Sequence, residues 1–289
     1  MLHELGSVLI EQGRYKAAET VVRRLIESYK NQSRDDDDNN TGKLKALSLL
    51  GQVLVCQGLY AKAERLHRRV LVGMEKVLGP EHPSTLTSMA NLASTFWNQA
   101  RWKDSEELEA QVIETLESVV GREHPHTLTS MSNLASTFWN QGRWKEAEEL
   151  EVQVVETKKR MLGEEHPHTL ISMGNLASTF WNLGRWKEAE ELEVQVVETS
   201  KRVVGVEHPS TLTSMGNLAS TYRNQGRWKE AEELEVQVMK TRKRVVGEEH
   251  PHTLTSMANL ASTYRNQGRW KEAEELEVQV IETFKRVVG

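Results

Sequence analysis

Residues 126–167 read HTLTSMSNLASTFWNQGRWKEAEELEVQVVETKKRMLGEEHP, and this 42-residue text returns almost verbatim along the chain. His-Pro-x-Thr-Leu begins at His82, His124, His166, His208 and His250, and Asn-Leu-Ala-Ser-Thr at Asn91, Asn133, Asn175, Asn217 and Asn259. An Arg-Trp pair ends at Trp102, Trp144, Trp186, Trp228 and Trp270. A fixed period of this size marks a solenoid, in which each unit buries its apolar face only against its neighbours. Such arrays offer long surfaces rather than enclosed pockets, so the sequence points to binding rather than to chemistry.

Within the quoted unit, Leu128, Met131, Leu134, Ala135 and Phe138 fall three and four apart, as one apolar stripe on a helix does. Pro125 precedes that stripe, where a missing amide donor costs nothing. Gly142 ends the helix, since glycine adopts positive φ freely. A second stripe follows through Trp144, Ala147, Leu150, Val154, Val155 and Met161. Glu146, Glu148, Glu149 and Glu151 crowd its start and Lys158, Lys159 and Arg160 its end, which suits the helix dipole. The unit is therefore helix, tight turn, helix, loop. Neither helix is stable alone, because burying Leu134 or Phe138 is worth about 1.5–3 kcal/mol only when the helices pack together.

Seven units follow from the turns at Gly13, Gly58, Ala100, Gly142, Gly184, Gly226 and Gly268. Their bounds run near 1–42, 43–83, 84–125, 126–167, 168–209, 210–251 and 252–289, one continuous array. The first two units diverge, and an acidic loop insertion over 33–42 accounts for their longer spacing. That run lacks the glycine and the distal glutamate of a calcium loop.

The formal net charge of −5 argues against nucleic acid, which rewards clustered Lys and Arg. Cys56 is the single cysteine, so no intramolecular disulfide forms and a reducing, cytoplasmic setting is expected. No apolar run approaches the ~18 residues of a membrane span, and the N-terminus does not read as a signal peptide. No Gly-rich phosphate loop appears, and no cofactor is expected. The histidines recur once per repeat, too far apart to share a metal ion, and read as helix entry. Glu148, Glu149 and Glu151 recur identically in several units and read as a solvated outer face. No catalytic residue is assigned, and the chain is not expected to be an enzyme.

Leu5-Gly6 and Leu50-Gly51, with Leu134-Ala135, Phe138, Gly142 and Ala147, resemble the tetratricopeptide repeat. The 42-residue length and the loop Gly163-Glu164-Glu165-His166-Pro167 are similar to the kinesin light chain subclass, and to the repeat regions of fungal NLR-like proteins. The chain departs from the family at Glu109, Glu151, Glu193, Glu235 and Glu277, where an aromatic residue is usual. The resemblance implies an all-α, right-handed α-solenoid superhelix of about seven hairpins. It also implies a concave face lined by first helices and used for extended peptides. In the fourth unit that lining is Thr129, Ser132, Asn133, Ser136, Trp139 and Asn140.

Three candidate rows lie on this face. Asn91, Asn133, Asn175, Asn217 and Asn259 form a carboxamide ladder able to bond both groups of a peptide backbone. Asn98, Asn140, Asn182, Asn224 and Asn266 form a second row near helix ends, where capping is the alternative. Trp97, Trp139 and Trp181 share one site with Arg223 and Arg265 in the later units, which suits aromatic ligand residues at one end and acidic ones at the other. The alternative is that these side chains pack between repeats. Trp102, Trp144, Trp186, Trp228 and Trp270 are expected in the core. The expected function is a protein-interaction scaffold. The competing reading is a sensor or oligomerisation arm of a larger signalling protein, with end-to-end self-association through terminal repeats where Val278 and Ile281 lie.

Overall fold

The computed structural model describes residues 2–32 and 40–288. All regular structure among them is helical: α1 (Leu2–Glu11), α2 (Tyr15–Gln32), α3 (Thr41–Cys56), α4 (Tyr60–Leu78), α5 (Pro83–Asn98), α6 (Trp102–Val119), α7 (Pro125–Asn140), α8 (Trp144–Leu162), α9 (Pro167–Asn182), α10 (Trp186–Val203), α11 (Pro209–Asn224), α12 (Trp228–Val246), α13 (Pro251–Asn266) and α14 (Trp270–Val288). Each sequence unit supplies one helix pair, as the periodicity predicts. The helices group into two compact units, Met1–Ala147 and Glu148–Gly289. Of the acidic insertion, 33–39 lie outside the described residues. Asn40 caps α3, its Oδ1 accepting from the Lys43 amide at 3.1 Å, and Thr41 and Gly42 already belong to that helix.

The His-Pro-x-Thr-Leu string is a helix-entry device. The histidine caps the helix: Nδ1 of His82 accepts from the Ser84 amide at 3.0 Å, and His124 and His250 do the same two residues on at 3.2 Å. Proline follows at the first helical position. The threonine turns back into the loop, Thr85 Oγ1 donating to the Gly79 carbonyl at 2.8 Å and Thr127 Oγ1 to that of Gly121 at 2.9 Å. The leucine then enters the core. Between paired helices the backbone passes through positive φ, at 74° in Gly58 and Gly142. The third unit makes the same turn with Ala100 at φ 56°, in a region an L side chain resists.

In the first compact unit Val22, Leu44, Leu47, Leu50, Val70 and Met74 form one core cluster, and Leu86, Val112 and Leu116 another. In the second, Leu170, Met173, Leu176 and Phe180 pack with Val155 and Val196, and Leu212, Met215 and Leu218 with Val197 and Val238. Leu128, Met131, Leu134 and Ala135 are buried as their spacing requires. Met161 is not: with Leu162 it is exposed in the last turn of α8, where the chain bends into the loop.

A second correction is larger. Glu149 does face solvent, but Glu109, Glu151, Glu193 and Glu235 are only 3% to 6% exposed. Glu151 lies four residues after Ala147 and three before Val154, so the buried stripe runs straight through it. Glu109 Oε2 accepts from Thr137 Oγ1 of the next first helix at 2.8 Å. Thr179, Thr221 and Thr263 stand beside Glu151, Glu193 and Glu235 in the same way. In these three pairs a carboxyl oxygen and the hydroxyl are buried without a closed bond. In the second repeat His67 takes the glutamate's place, fully buried, with Nδ1 2.8 Å from Thr95 Oγ1. Its bulk is admitted by Gly51, where a Cβ would come within 2.2 Å of the ring.

Burial raises Glu109, Glu151 and Glu193 from 4.5 to about 7. Each pKa unit is worth about 1.4 kcal/mol. Between these values the folded chain binds more protons than the unfolded one, so their stabilisation is complete below 4.5 and is lost as pH rises through 7. The surface carboxyls Glu146, Glu188 and Glu230, held below their usual range by Arg143, Arg185 and Arg227, act only at lower pH. His67, lowered by burial, acts in the opposite direction beneath 6.5. The expected result is a melting temperature that falls as pH rises from 5.5 to 8, and a flatter profile when Glu109, Glu151 and Glu193 are all changed to Gln. A profile unaltered by the three changes contradicts the assignment. Separately, Ala100→Gly is expected to raise unfolding free energy by about 1 kcal/mol in denaturant titrations, because it removes the left-handed penalty.

Candidate functional site

The first helices carry the candidate rows on the side away from their buried stripe. Asn133, Asn175 and Asn217 are exposed, and Asn91 and Asn259 half-buried. Asn91 is engaged by the preceding repeat, its Nδ2 donating to Ser48 Oγ at 3.1 Å while Oδ1 accepts from Gln52 Nε2 at 3.4 Å. Serines flank the ladder and turn their hydroxyls onto their own helix, Ser132 to the Leu128 carbonyl and Ser136 to that of Ser132. The second row behaves as the capping alternative describes. Nδ2 of Asn98, Asn140, Asn182 and Asn224 donates to the carbonyl four residues back at 2.7–2.8 Å. Asn266 is exposed at the same helix end.

The Trp/Arg site divides in two. Trp97 and Trp139 are exposed, whereas Trp181 is half-buried against the core cluster of its repeat, with Nε1 buried and unbonded. Arg223 does not extend freely toward a ligand. Its Nη1 donates to the buried Glu235 at 3.1 Å and to the Asn259 carbonyl at 3.3 Å, and Nη2 to Ser220 Oγ at 3.1 Å. Burial still holds Glu235 above its usual range, outweighing the cation beside it. Arg265 is more open and pairs with Glu277 at 3.3 Å.

The Arg-Trp pair reverses its expected roles. The tryptophans were expected in the core, yet Trp186, Trp228 and Trp270 are exposed and Trp102 and Trp144 half-buried. The arginine is the anchor. Arg143 lies over the Phe138 ring at 4.2 Å, reaches Glu106 of the preceding repeat at 2.8 Å and holds Glu146 on its own helix at 2.5 Å. Arg185 does the same with Phe180, Glu148 and Glu188, and Arg227 with Tyr222, Glu190 and Glu230. A glutamine completes the clasp, Gln141 Nε2 donating to Glu106 at 2.8 Å. Because the arginine fills the seam, tryptophan is pushed to its lip. Shallow hollows form there, one of about 650 Å³ beside Trp228 and Arg269 and one of about 600 Å³ beside Trp102 and Arg143. The signal in the sequence was the recurrence of a glutamate 37 residues before each Gly-Arg-Trp arginine, a spacing legible only once a seam is known to need closing.

Among the described residues no group of three or more His, Cys, Asp or Glu could hold a metal ion, and no helix is long and apolar enough to cross a membrane. The first compact unit exposes Asn133, Trp97 and Trp139 on its first helices, and the second exposes Asn175 and Asn217 on its own.

Tetratricopeptide-repeat models match residues 1–32, 42–118, 127–168, 169–210 and 211–286. No curated protein matches. Two crystal structures of kinesin light chain nearly identical TPR-like repeats from Podosopora anserina are similar. One is 35% identical over 71% of this chain and 97% of its own, with a TM-score of 0.64. The other is 36% identical over 72% and 99%, with a TM-score of 0.63. NprR, a quorum sensor of B. thuringiensis, shares the fold in its complex with its cognate peptide NprX, at 13% identity over 97% of this chain and 77% of its own, TM-score 0.64. The tetratricopeptide repeat sensor protein PH0952 of Pyrococcus horikoshii, a signal transduction ATPase with numerous domains, shares it too, at 14% identity over 98% of this chain and 41% of that one, TM-score 0.70. Repeat text, helix pairing and these matches agree: the chain belongs to the tetratricopeptide repeat family, with repeats like those of kinesin light chain.

Proposed function

We propose that this protein is a non-catalytic, cytoplasmic interaction scaffold that binds an extended peptide segment along its first helices. The observation that carries the reading is the exposure of Asn133, Asn175 and Asn217 beside serines whose hydroxyls are already bonded to their own helix. An exposed carboxamide offers a donor and an acceptor to a peptide backbone without regard to its sequence. Trp97 and Trp139 then supply apolar area with one N–H donor each, which favours aromatic or apolar ligand residues. An acidic residue finds a partner at Arg265, not at Arg223, whose guanidinium is taken by Glu235. The peptide complex of NprR, a protein of the same fold, supports the peptide class of ligand. The second row, occupied by its own helix, supports the frame of the site more than its contacts.

A second reading makes the array the sensor or oligomerisation arm of a larger signalling protein. The likeness to the repeat sensor of PH0952 favours it.

A peptide array identifies a ligand, and fluorescence anisotropy then compares wild type with the triple variant Asn133→Ala, Asn175→Ala, Asn217→Ala. An affinity loss of about tenfold or more is expected, since three exposed hydrogen-bonding groups of about 0.5–1.5 kcal/mol each are removed. Helicity by circular dichroism should not change. Undiminished binding by the triple variant, with loss on Trp186→Ala and Trp228→Ala, moves the site to the hollows at the hairpin turns.

A further inference from the structure

In the second compact unit the second helices end in exposed aliphatic pairs. Met161 and Leu162, Val203 and Val204, and Val245 and Val246 are each 38% to 47% exposed, in the last turn of α8, α10 and α12 or just after it. The pairs stand in file as the rungs of a ladder. Arg202, next to Val203, reaches Glu165 of the preceding loop at 2.7 Å, and Arg244, next to Val245, reaches Glu207 at 2.5 Å, so each rung adjoins the one before it. Single exposed aliphatic residues are ordinary on a protein surface, but six in register along one edge make a patch.

The middle rung differs from its neighbours. The residue after the loop glycine is Glu164 beyond the first rung and Glu248 beyond the third, but Val206, 50% exposed, beyond the middle one. Lys159 pairs with Glu164 at 3.9 Å and Lys243 pairs with Glu248, whereas Lys201 has no ion pair among the described residues. Valine at 206 therefore gains nothing within the chain: an ion pair is given up and an apolar side chain lies in water. That surface contributes free energy only when something covers it.

We propose that this edge is a docking surface for a second copy of the chain, related by a two-fold axis through the middle rung, so that the two ladders run antiparallel. One rung per helix pair is matched along its whole length only by an array with the same repeat. Charge then fixes the direction. In each gap between rungs a carboxylate precedes a guanidinium, Glu165 before Arg202 and Glu207 before Arg244. A reversed copy sets Glu165 against Arg244 and Arg202 against Glu207, opposite charge to opposite charge, whereas a parallel copy sets like on like. A residue on the two-fold axis meets its own copy. A glutamate there would face a glutamate, and this is the position that holds Val206. An anionic lipid surface is the wrong partner, since Arg202 and Arg244 are already neutralised by carboxylates of the same edge. The inference does not depend on the peptide-binding reading, whose asparagines lie on the first helices.

The test is sedimentation equilibrium of the full chain across concentration, joined to site-directed cross-linking. The wild type is expected to dimerise as concentration rises. Val206→Asp, which sets two like charges on the axis, is expected to weaken the dimer about tenfold or more with unchanged circular dichroism. In a Cys56→Ala background, which removes the exposed native thiol, a short bismaleimide is expected to link Val206→Cys to itself. It is expected to link Glu164→Cys only with Glu248→Cys, in a mixture of the two chains. A chain that is monomeric at every concentration overturns the proposal, as does a dimer that Val206→Asp leaves intact or a pattern in which Glu248→Cys links to itself. Should Val206→Asp lose helicity, the linking pattern of the folded cysteine variants decides alone. Phosphatidylserine vesicles that bind the wild-type chain but not Val206→Asp would assign the edge to a lipid surface and overturn the proposal.

Discussion

Everything in this chain depends on each second helix burying one side of itself against the first helix of the next repeat. No helix pair encloses its own apolar face, so the energy of folding lies at the junctions. The centre of most junctions is polar. A carboxyl from one repeat and a threonine hydroxyl from the next sit where an all-apolar core would carry two hydrocarbon side chains. Burial of that carboxyl is tolerable where it holds its proton, below about pH 7, because a costly buried anion is then a neutral polar group.

The arginine clasp at the hairpin turns works differently. Arg143, Arg185 and Arg227 are each more than a third exposed, and their ion pairs are screened by water. Exposed pairs contribute little individually, so their effect on stability is small beside that of the buried stripe. Their geometry is specific, however. One guanidinium stacks on an aromatic ring and joins carboxylates from two repeats. The clasp positions structure; the apolar stripe and the carboxyl–hydroxyl column supply cohesion and choice of neighbour.

Repeats this similar face a hazard of their own, since every first helix resembles every other. The variation that survives at the junction centres, histidine to threonine in one and glutamate to threonine in the next, gives the second repeat a partner distinct from those that follow. Steric fit adds to it. His67 fits only over glycine at 51, and an alanine there would collide with the ring. Within the glutamate series the central pair is the same, and differences lie at its edge, as where Arg223 bonds Glu235 and the Asn259 carbonyl.

The sequence by itself determined the period, the helix pairs, the capping histidine, the turn glycines and most of the stripe, because these depend on contacts within one 42-residue unit. It also placed Asn133, Asn175 and Asn217 on the surface, as a helical period of 3.6 dictates. It misjudged Glu151, Met161 and the tryptophans of the Arg-Trp pair, since side-chain type alone suggested solvent, core and core, and it left Arg223 open between ligand and packing. Met161 was decided by the end of its own helix and Arg223 largely by Glu235 of its own hairpin. Whether a glutamate is buried or a tryptophan stands at a lip depends on what the next hairpin brings within a few ångströms. That distance spans 28 to 37 residues of chain, beyond the reach of any local pattern.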